Sequence, residues 1–116
     1  MPGGSERARK PYLYVVRGQW PYAVMEPDIA AQVAQAVGRS LLEAMTRQEL
    51  SANTLAKKSR VNRQVIAHVL AGKAWPDLMT VARLENALGV MLWPRHVDWP
   101  ADGEGRSVEP PAENPG

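Results

Sequence analysis

The chain contains no cysteine and no phenylalanine, and only two histidines among its 116 residues. Without cysteine there is no disulfide scaffold and no thiolate ligand set for zinc or iron–sulfur clusters. The two histidines, His68 and His96, are accompanied by no carboxylate pair, no Gly-rich phosphate loop and no metal-ligand spacing. The expectation is therefore a protein that is not an enzyme and needs no metal or cofactor. No apolar run approaches the roughly 20 residues that span a bilayer, and the opening Met1-Pro2-Gly3-Gly4-Ser5-Glu6-Arg7 lacks the apolar core of a signal peptide. A soluble cytoplasmic location is expected, with no membrane partner. Hydrophobic residues still make up 45% of the chain, enough to build one core at this length.

The net charge of +2 conceals an asymmetry. Residues 1–97 carry 13 Lys/Arg against 7 Asp/Glu, or +6; residues 98–116 carry Arg106 against Asp98, Asp102, Glu104, Glu109 and Glu113, or −4. Within 47–73, Arg47, Lys57, Lys58, Arg60, Arg63 and Lys73 face Glu49 alone, which is +5. A solvated charged surface is the ordinary reading of such an excess, and a polyanion partner is the specific one. The decision rests on where the charges sit.

Residues 1–11 read as a flexible N-terminus. Tyr12 to Arg17, aromatic and β-branched, reads as a strand, and Gly18-Gln19 as a turn. Trp20 to Met25 reads as a second strand, confined to an edge by Pro21. Residues 12–25 are thus expected to form a β-hairpin arm. A lone hairpin is marginal in water, so the arm must pack on its own domain or on a second chain. Asp28 is an N-cap candidate. Beyond it Ile29, Val33, Val37, Leu41 and Met45 recur every fourth residue, with Ala30, Ala34 and Leu42 beside them, which predicts an amphipathic helix to about Thr46. Three shorter helices follow. Ser51 caps the first, around Leu55 and Ala56, and Ser59-Arg60-Val61 breaks it. Asn62 caps the second, with Ile66 and Val69 inward and Gly72 as its terminator. Asp77 caps the last, with Leu78, Val81, Leu84 and Leu88 inward, closed by Gly89. Leu92-Trp93-Pro94 is expected to seal the core, Trp75 and Trp93 to cover it, and Trp20 and Trp99 have no assigned place. The fold expected is mainly α, a compact four- to five-helix bundle over 26–97 with that N-terminal arm. From 98 to 116, Pro, Gly and acidic residues leave too little apolar surface to fold.

The informative stretch begins at Ser51. Two short helices joined by a tight turn must bury a common seam, and Leu55, Val61, Ile66 and Val69, with small Ala56 permitting close approach, supply it. With those positions inward, helical geometry turns Arg63, Gln64, Ala67 and His68 outward. Arg grips guanine bidentately, Gln grips adenine, and Ala can touch a thymine methyl. Asn62 at the helix start suits a phosphate, and Lys57, Lys58 and Lys73 flank the helix. Each residue also has a plainer reading. His68 is about as easily a solvated histidine, Arg60 a solvated turn residue, and Lys57 and Lys58 solubility charges.

Residues 50–90 resemble the helix-turn-helix of lambda-repressor-like (Cro/CI, XRE) bacterial and phage regulators. The matching residues are Ser51, Leu55-Ala56, Val61, Ile66, Gly72-Lys73, Pro76, Thr80, Leu84 and Ala87-Leu88-Gly89-Val90. The resemblance implies a helical bundle that binds double-stranded DNA as a homodimer on a two-fold operator. It places recognition residues on Asn62, Arg63, Gln64, Ala67 and His68, and a polar start of the preceding helix on Ser51, Ala52 or Asn53. Together with the charges, the expected base contacts are Arg63, Gln64, Ala67 and His68, and the expected phosphate contacts Ser51, Asn53, Lys57, Lys58, Arg60, Asn62 and Lys73. Relatives usually carry Gly in the turn, where this chain has Arg60; a non-Gly residue at positive φ there would cost about 1 kcal/mol. Leu70 and Ala71 also stand where relatives often have polar residues. A rival reading on the same fold is an antitoxin or other partner-binding module that engages a protein through residues 12–25. The acidic tail, opposite in sign to the basic helix, is expected to weaken non-specific DNA binding by covering it.

Overall fold

The structure is a computed structural model that describes residues 9–94. Expectations placed on 1–8, on His96 and Trp99, and on the acidic tail lie outside the described residues. Four α-helices follow a small N-terminal arm: α1 (Ile29–Gln48), α2 (Ala52–Ser59), α3 (Arg63–Ala71) and α4 (Leu78–Leu88). Each starts at the polar residue its sequence offers. Asp28, Ser51, Asn62 and Asp77 accept from the backbone N–H of Ala31, Thr54, Gln64 and Thr80 at 2.9, 3.1, 2.7 and 2.7 Å. Such a cap contributes about 1 kcal/mol. The Asp77 carboxyl lies below the usual carboxylate range because the Thr80 N–H, then its hydroxyl, stabilise the ionised form. Its share of stability is thus complete above the unfolded pKa and lost as pH falls through the lower folded value. Gly72 and Gly89 end α3 and α4 in the left-handed conformation.

One core lies where the four helices meet. Val37, Leu41, Ala44 and Met45 of α1 close over Leu55, Val61, Ile66 and Val69, with Val81, Leu84 and Leu88 of α4 completing it. Fully burying a Leu or Ile side chain contributes roughly 1.5–3 kcal/mol. α2 packs on both α3 and α4, and α1 crosses α3. Gln48 extends α1 beyond the expected Thr46 and donates to the Leu88 carbonyl at 2.9 Å, tying its end to that of α4.

After α4 the Glu85 carboxylate accepts from the backbone N–H of Leu92 and Trp93 at 2.7 and 3.0 Å. Leu92 turns inward, 1% exposed, but Trp93 turns out, 45% exposed, so the expectation that Trp93 covers the core is corrected. Leu78, expected inward on α4, is likewise exposed, because it stands in the helix's first turn, at the rim of the core.

The arm differs from the expected hairpin. Its first half is a 3-10 turn over Pro11–Tyr14, and only β1 (Val15–Arg17) and β2 (Val24–Met25) pair, antiparallel. Two causes are visible. The Tyr12 N–H donates to the Gly72 carbonyl, and the Leu13 N–H closes back on Lys10. Pro21 can donate nothing to a ladder, and Tyr22 N–H closes a turn on Gln19. The arm packs on its own domain. The Gln35 side chain, buried on α1, accepts from the Ala23 N–H at 2.8 Å and donates to the Ala23 carbonyl at 3.1 Å, standing in for a neighbouring strand. Arg39 donates to the Pro21 carbonyl, and the Tyr22 hydroxyl to Glu43. Trp75 donates its indole N–H to the Arg9 carbonyl and meets the Tyr14 ring edge-on at 5.8 Å, covering the joint between arm and helices.

Trp20 finds its place here. Its indole lies in a slot between Gly38 of α1 and Gly72 at the end of α3. A methyl group on Gly72 would stand 2.7 Å from the indole, and one on Gly38 would stand 3.1 Å from the Val69 carbonyl. The slot costs one unpaired polar group, since the buried Trp20 indole N–H has no acceptor. Gly89 has nearly the same φ as Gly72 (71° against 72°), yet nothing lies within 4 Å of where its side chain would grow. Gly89→Ala should therefore bear only the backbone strain of about 1 kcal/mol, part of it offset by the lost freedom of glycine in the unfolded chain. Gly72→Ala should add the roughly 1–3 kcal/mol of an overpacked contact. Urea unfolding of the two variants checks this, and equal losses would show that the slot is not tight.

Candidate nucleic-acid interface

The turn between α2 and α3 sets the surface. Arg60 adopts φ 67° and ψ 25°, the left-handed conformation the missing glycine would have taken, so the turn keeps its shape and bears the strain. The adjoining Ser59 is what the sequence reading missed. Its buried hydroxyl donates to the Leu55 carbonyl at 2.7 Å and accepts from the Val61 N–H at 3.1 Å, closing the turn from inside. Nothing in a lone serine among polar neighbours signals this bond. Arg83 of α4, also not singled out from sequence, donates to the Arg60 carbonyl at 3.4 Å and adds a guanidinium beside the turn.

With Leu55, Val61, Ile66 and Val69 buried, α3 presents Arg63, Gln64 and Ala67 as exposed residues and His68 as half-buried. Val65 and Leu70 are partly buried against the core, which places Leu70 on the packing side, and Ala71 is exposed. Ser51, Asn53, Lys57, Lys58, Arg60, Asn62 and Lys73 are all exposed. Ser51 and Asn62 each already give one oxygen to a helix cap, and the Ser51 hydroxyl also donates to the Thr54 hydroxyl.

Most acidic side chains among the described residues have partners of their own. Of the six acidic residues within 9–94, five are engaged. Glu26 pairs with Arg9 at 2.9 Å, Asp28 and Asp77 cap helices, Glu43 accepts from Tyr22, and Glu85 binds two backbone N–H groups. The Glu26 carboxyl is held low, and the Arg9 guanidinium high, by the hydrogen bonds between them. Among the described residues Lys57, Lys58, Arg60, Arg63 and Lys73 have no carboxylate partner. The helix-turn-helix thus offers an uncompensated positive surface, the kind that releases counterions from a polyanion. Groups of three or more metal-ligating side chains are absent among the described residues. No helix among them is long and apolar enough to cross a membrane.

The helix-turn-helix family model matches residues 39–90, from the second half of α1 to just past α4. Among solved structures, the restriction-modification controller protein C.AhdI from Aeromonas hydrophila is 31% identical; the match covers 53% of this chain and 89% of that chain, with a TM-score of 0.46. No curated protein matches. Residues 39–90 thus belong to the helix-turn-helix family.

The strain at Arg60 is directly testable. Arg60→Gly should relieve about 1–2 kcal/mol in the folded state, part of it offset by the greater freedom of glycine in the unfolded chain. A net gain of roughly 0.5–1 kcal/mol in urea unfolding is expected, and a loss would contradict the strain.

Proposed function

We propose that this chain is a sequence-specific DNA-binding regulator that reads the major groove with α3. Arg63 and Gln64 would make the principal base contacts, and Ala67 and His68 would lie beside them. Ser51, Asn53, Lys57, Lys58, Arg60, Asn62 and Lys73 would hold the phosphates on either side. The observation that carries this reading is the exposed outer face of α3, polar and without a carboxylate partner, on a helix whose inner face is wholly committed to the core. A solubility surface would need no such uniform exclusion of acid. Bidentate pairing of Arg with guanine or Gln with adenine is worth about 1–3 kcal/mol of base discrimination.

We further infer a homodimer acting on a two-fold operator in the cytoplasm. Outside the arm, the large apolar side chains left exposed among the described residues are Leu78, Met79, Met91 and Trp93, all at the two ends of α4 or just beyond. Such side chains support a surface that a second copy covers. Half-sites would then lie roughly 34–36 Å apart. The rival reading, a module that captures a protein partner through 12–25, has less support. The arm's backbone at Tyr12, Pro21 and Ala23 is already bonded within the chain.

Selection from a random duplex library, followed by sequencing, tests the reading. A palindromic motif is expected. Arg63→Ala should then lose about 1–3 kcal/mol on the selected site and relax preference at one base position. An equal loss on every sequence would reassign Arg63 to phosphate, and no binding at low salt would overturn the reading. Sedimentation should find a dimer at DNA-saturating concentrations; a monomer there would remove the two-fold operator.

A further inference from the structure

The N-terminal arm does more than shelter the core. Residues 9–12 run beside the turn that follows α3. Two hydrogen bonds bracket the contact, Tyr12 N–H to the Gly72 carbonyl at 2.9 Å and the Trp75 indole N–H to the Arg9 carbonyl at 3.0 Å. Between these bonds lie Lys10 in one segment and Lys73 in the other. Both are exposed, and neither has an ion-pair or side-chain hydrogen-bond partner among the described residues. Arg9 and Glu26 neutralise each other, and the ionised Asp77 carboxylate is bonded to the Thr80 N–H and pairs with neither lysine. The Trp20 indole, seated against Gly72 and Gly38, holds the arm in this register with α3.

With α3 lying across a major groove, the dimensions would place this corner at a groove wall. α3 has nine residues, roughly 14 Å at 1.5 Å per residue, and the major groove is about 12 Å wide. With the first turn of α3 against base edges, its last turn reaches the level of the flanking sugar–phosphate strand. The carbonyls that end a helix carry partial negative charge, so a phosphate there needs cations from elsewhere. Lys73 alone comes from the helix-turn-helix; the arm brings Lys10 to the same corner.

We propose that the arm is a second wing of the DNA interface, in which Lys10 joins Lys73 to bind a backbone phosphate beside the C-terminal end of α3. This inference rests on the DNA-binding reading above. The contact carries no sequence information, so it has a signature distinct from that of Arg63.

Lys10→Gln and Lys10→Glu in the full chain test it, by titration of the library-selected duplex and a scrambled duplex across a salt series. Lys10→Gln should reduce the slope of log affinity against log salt by about 0.9 per chain. The fold-loss should be equal on both duplexes, and Lys10→Glu should lose more. Lys10 is exposed, so urea unfolding should be unchanged in both variants. An unchanged slope, in a protein whose selected-site binding still falls with Arg63→Ala, overturns the wing and leaves the α3 reading intact. Failure of the unaltered protein to bind either duplex at low salt overturns both.

Discussion

The buried seam between α2 and α3 is the constraint from which the rest follows. Leu55, Val61, Ile66 and Val69 are nearly inaccessible to solvent. They close only if the chain reverses within Ser59, Arg60 and Val61. That reversal demands a left-handed residue, a hydroxyl inside the turn and a cap at Asn62 immediately after it. Once these are met, α3 has no rotational choice. Helical periodicity carries Arg63, Gln64 and Ala67 to the outside as a consequence of what lies inside. The candidate interface is therefore the residue of core packing, and its residue types are where a DNA-binding function would leave its mark.

A second constraint sets the far end of the same helix. Gly72 terminates α3 and leaves space for Trp20, and Gly38 opens α1 to the same ring. The helix is thus fixed at its start by the turn and at its end by the arm. Electrostatics follows this division. Acidic side chains are spent on caps, on the arm and on the chain after α4, so the basic residues of the turn and α3 stand without local compensation. The positive surface combines a local excess of cations, six against Glu49 alone within 47–73, with anions that are bonded elsewhere.

The helical part was legible in the sequence because its signals are local. A capping residue, a repeat of apolar residues and a closing glycine lie within one or two turns of each other, and Asp28, Ser51, Asn62 and Asp77 all start helices where they are expected to. Arg60 was legible as a misfit, a bulky residue at a glycine position, and the structure keeps the turn and accepts its φ of 67°. The arm was harder to read. Tyr12 to Arg17 has strand-like composition, but a bond from Tyr12 to Gly72, remote in sequence, decides its course. Gln35, Gly38 and Trp20 meet across the fold, and nothing in their own neighbourhoods announces it. Trp93 looked like a core cover by size alone, yet Glu85 orients the segment so that Leu92 turns in instead. On the interface, residue types and facing were readable; the Ser59 hydroxyl and the Arg83 guanidinium, which support the turn from within and beside it, were not.

In the proposed interface one face, built on α3 and its flanking turns, meets DNA. Amide chemical shifts of the full chain, followed by NMR during titration with duplex DNA, test it most directly. The largest changes are expected at 51–54, 60–68 and 72–73, with little movement at Leu78, Met79 or Met91 beyond what self-association produces. Changes concentrated on residues 13–25 or on α4, with α3 silent, would contradict it.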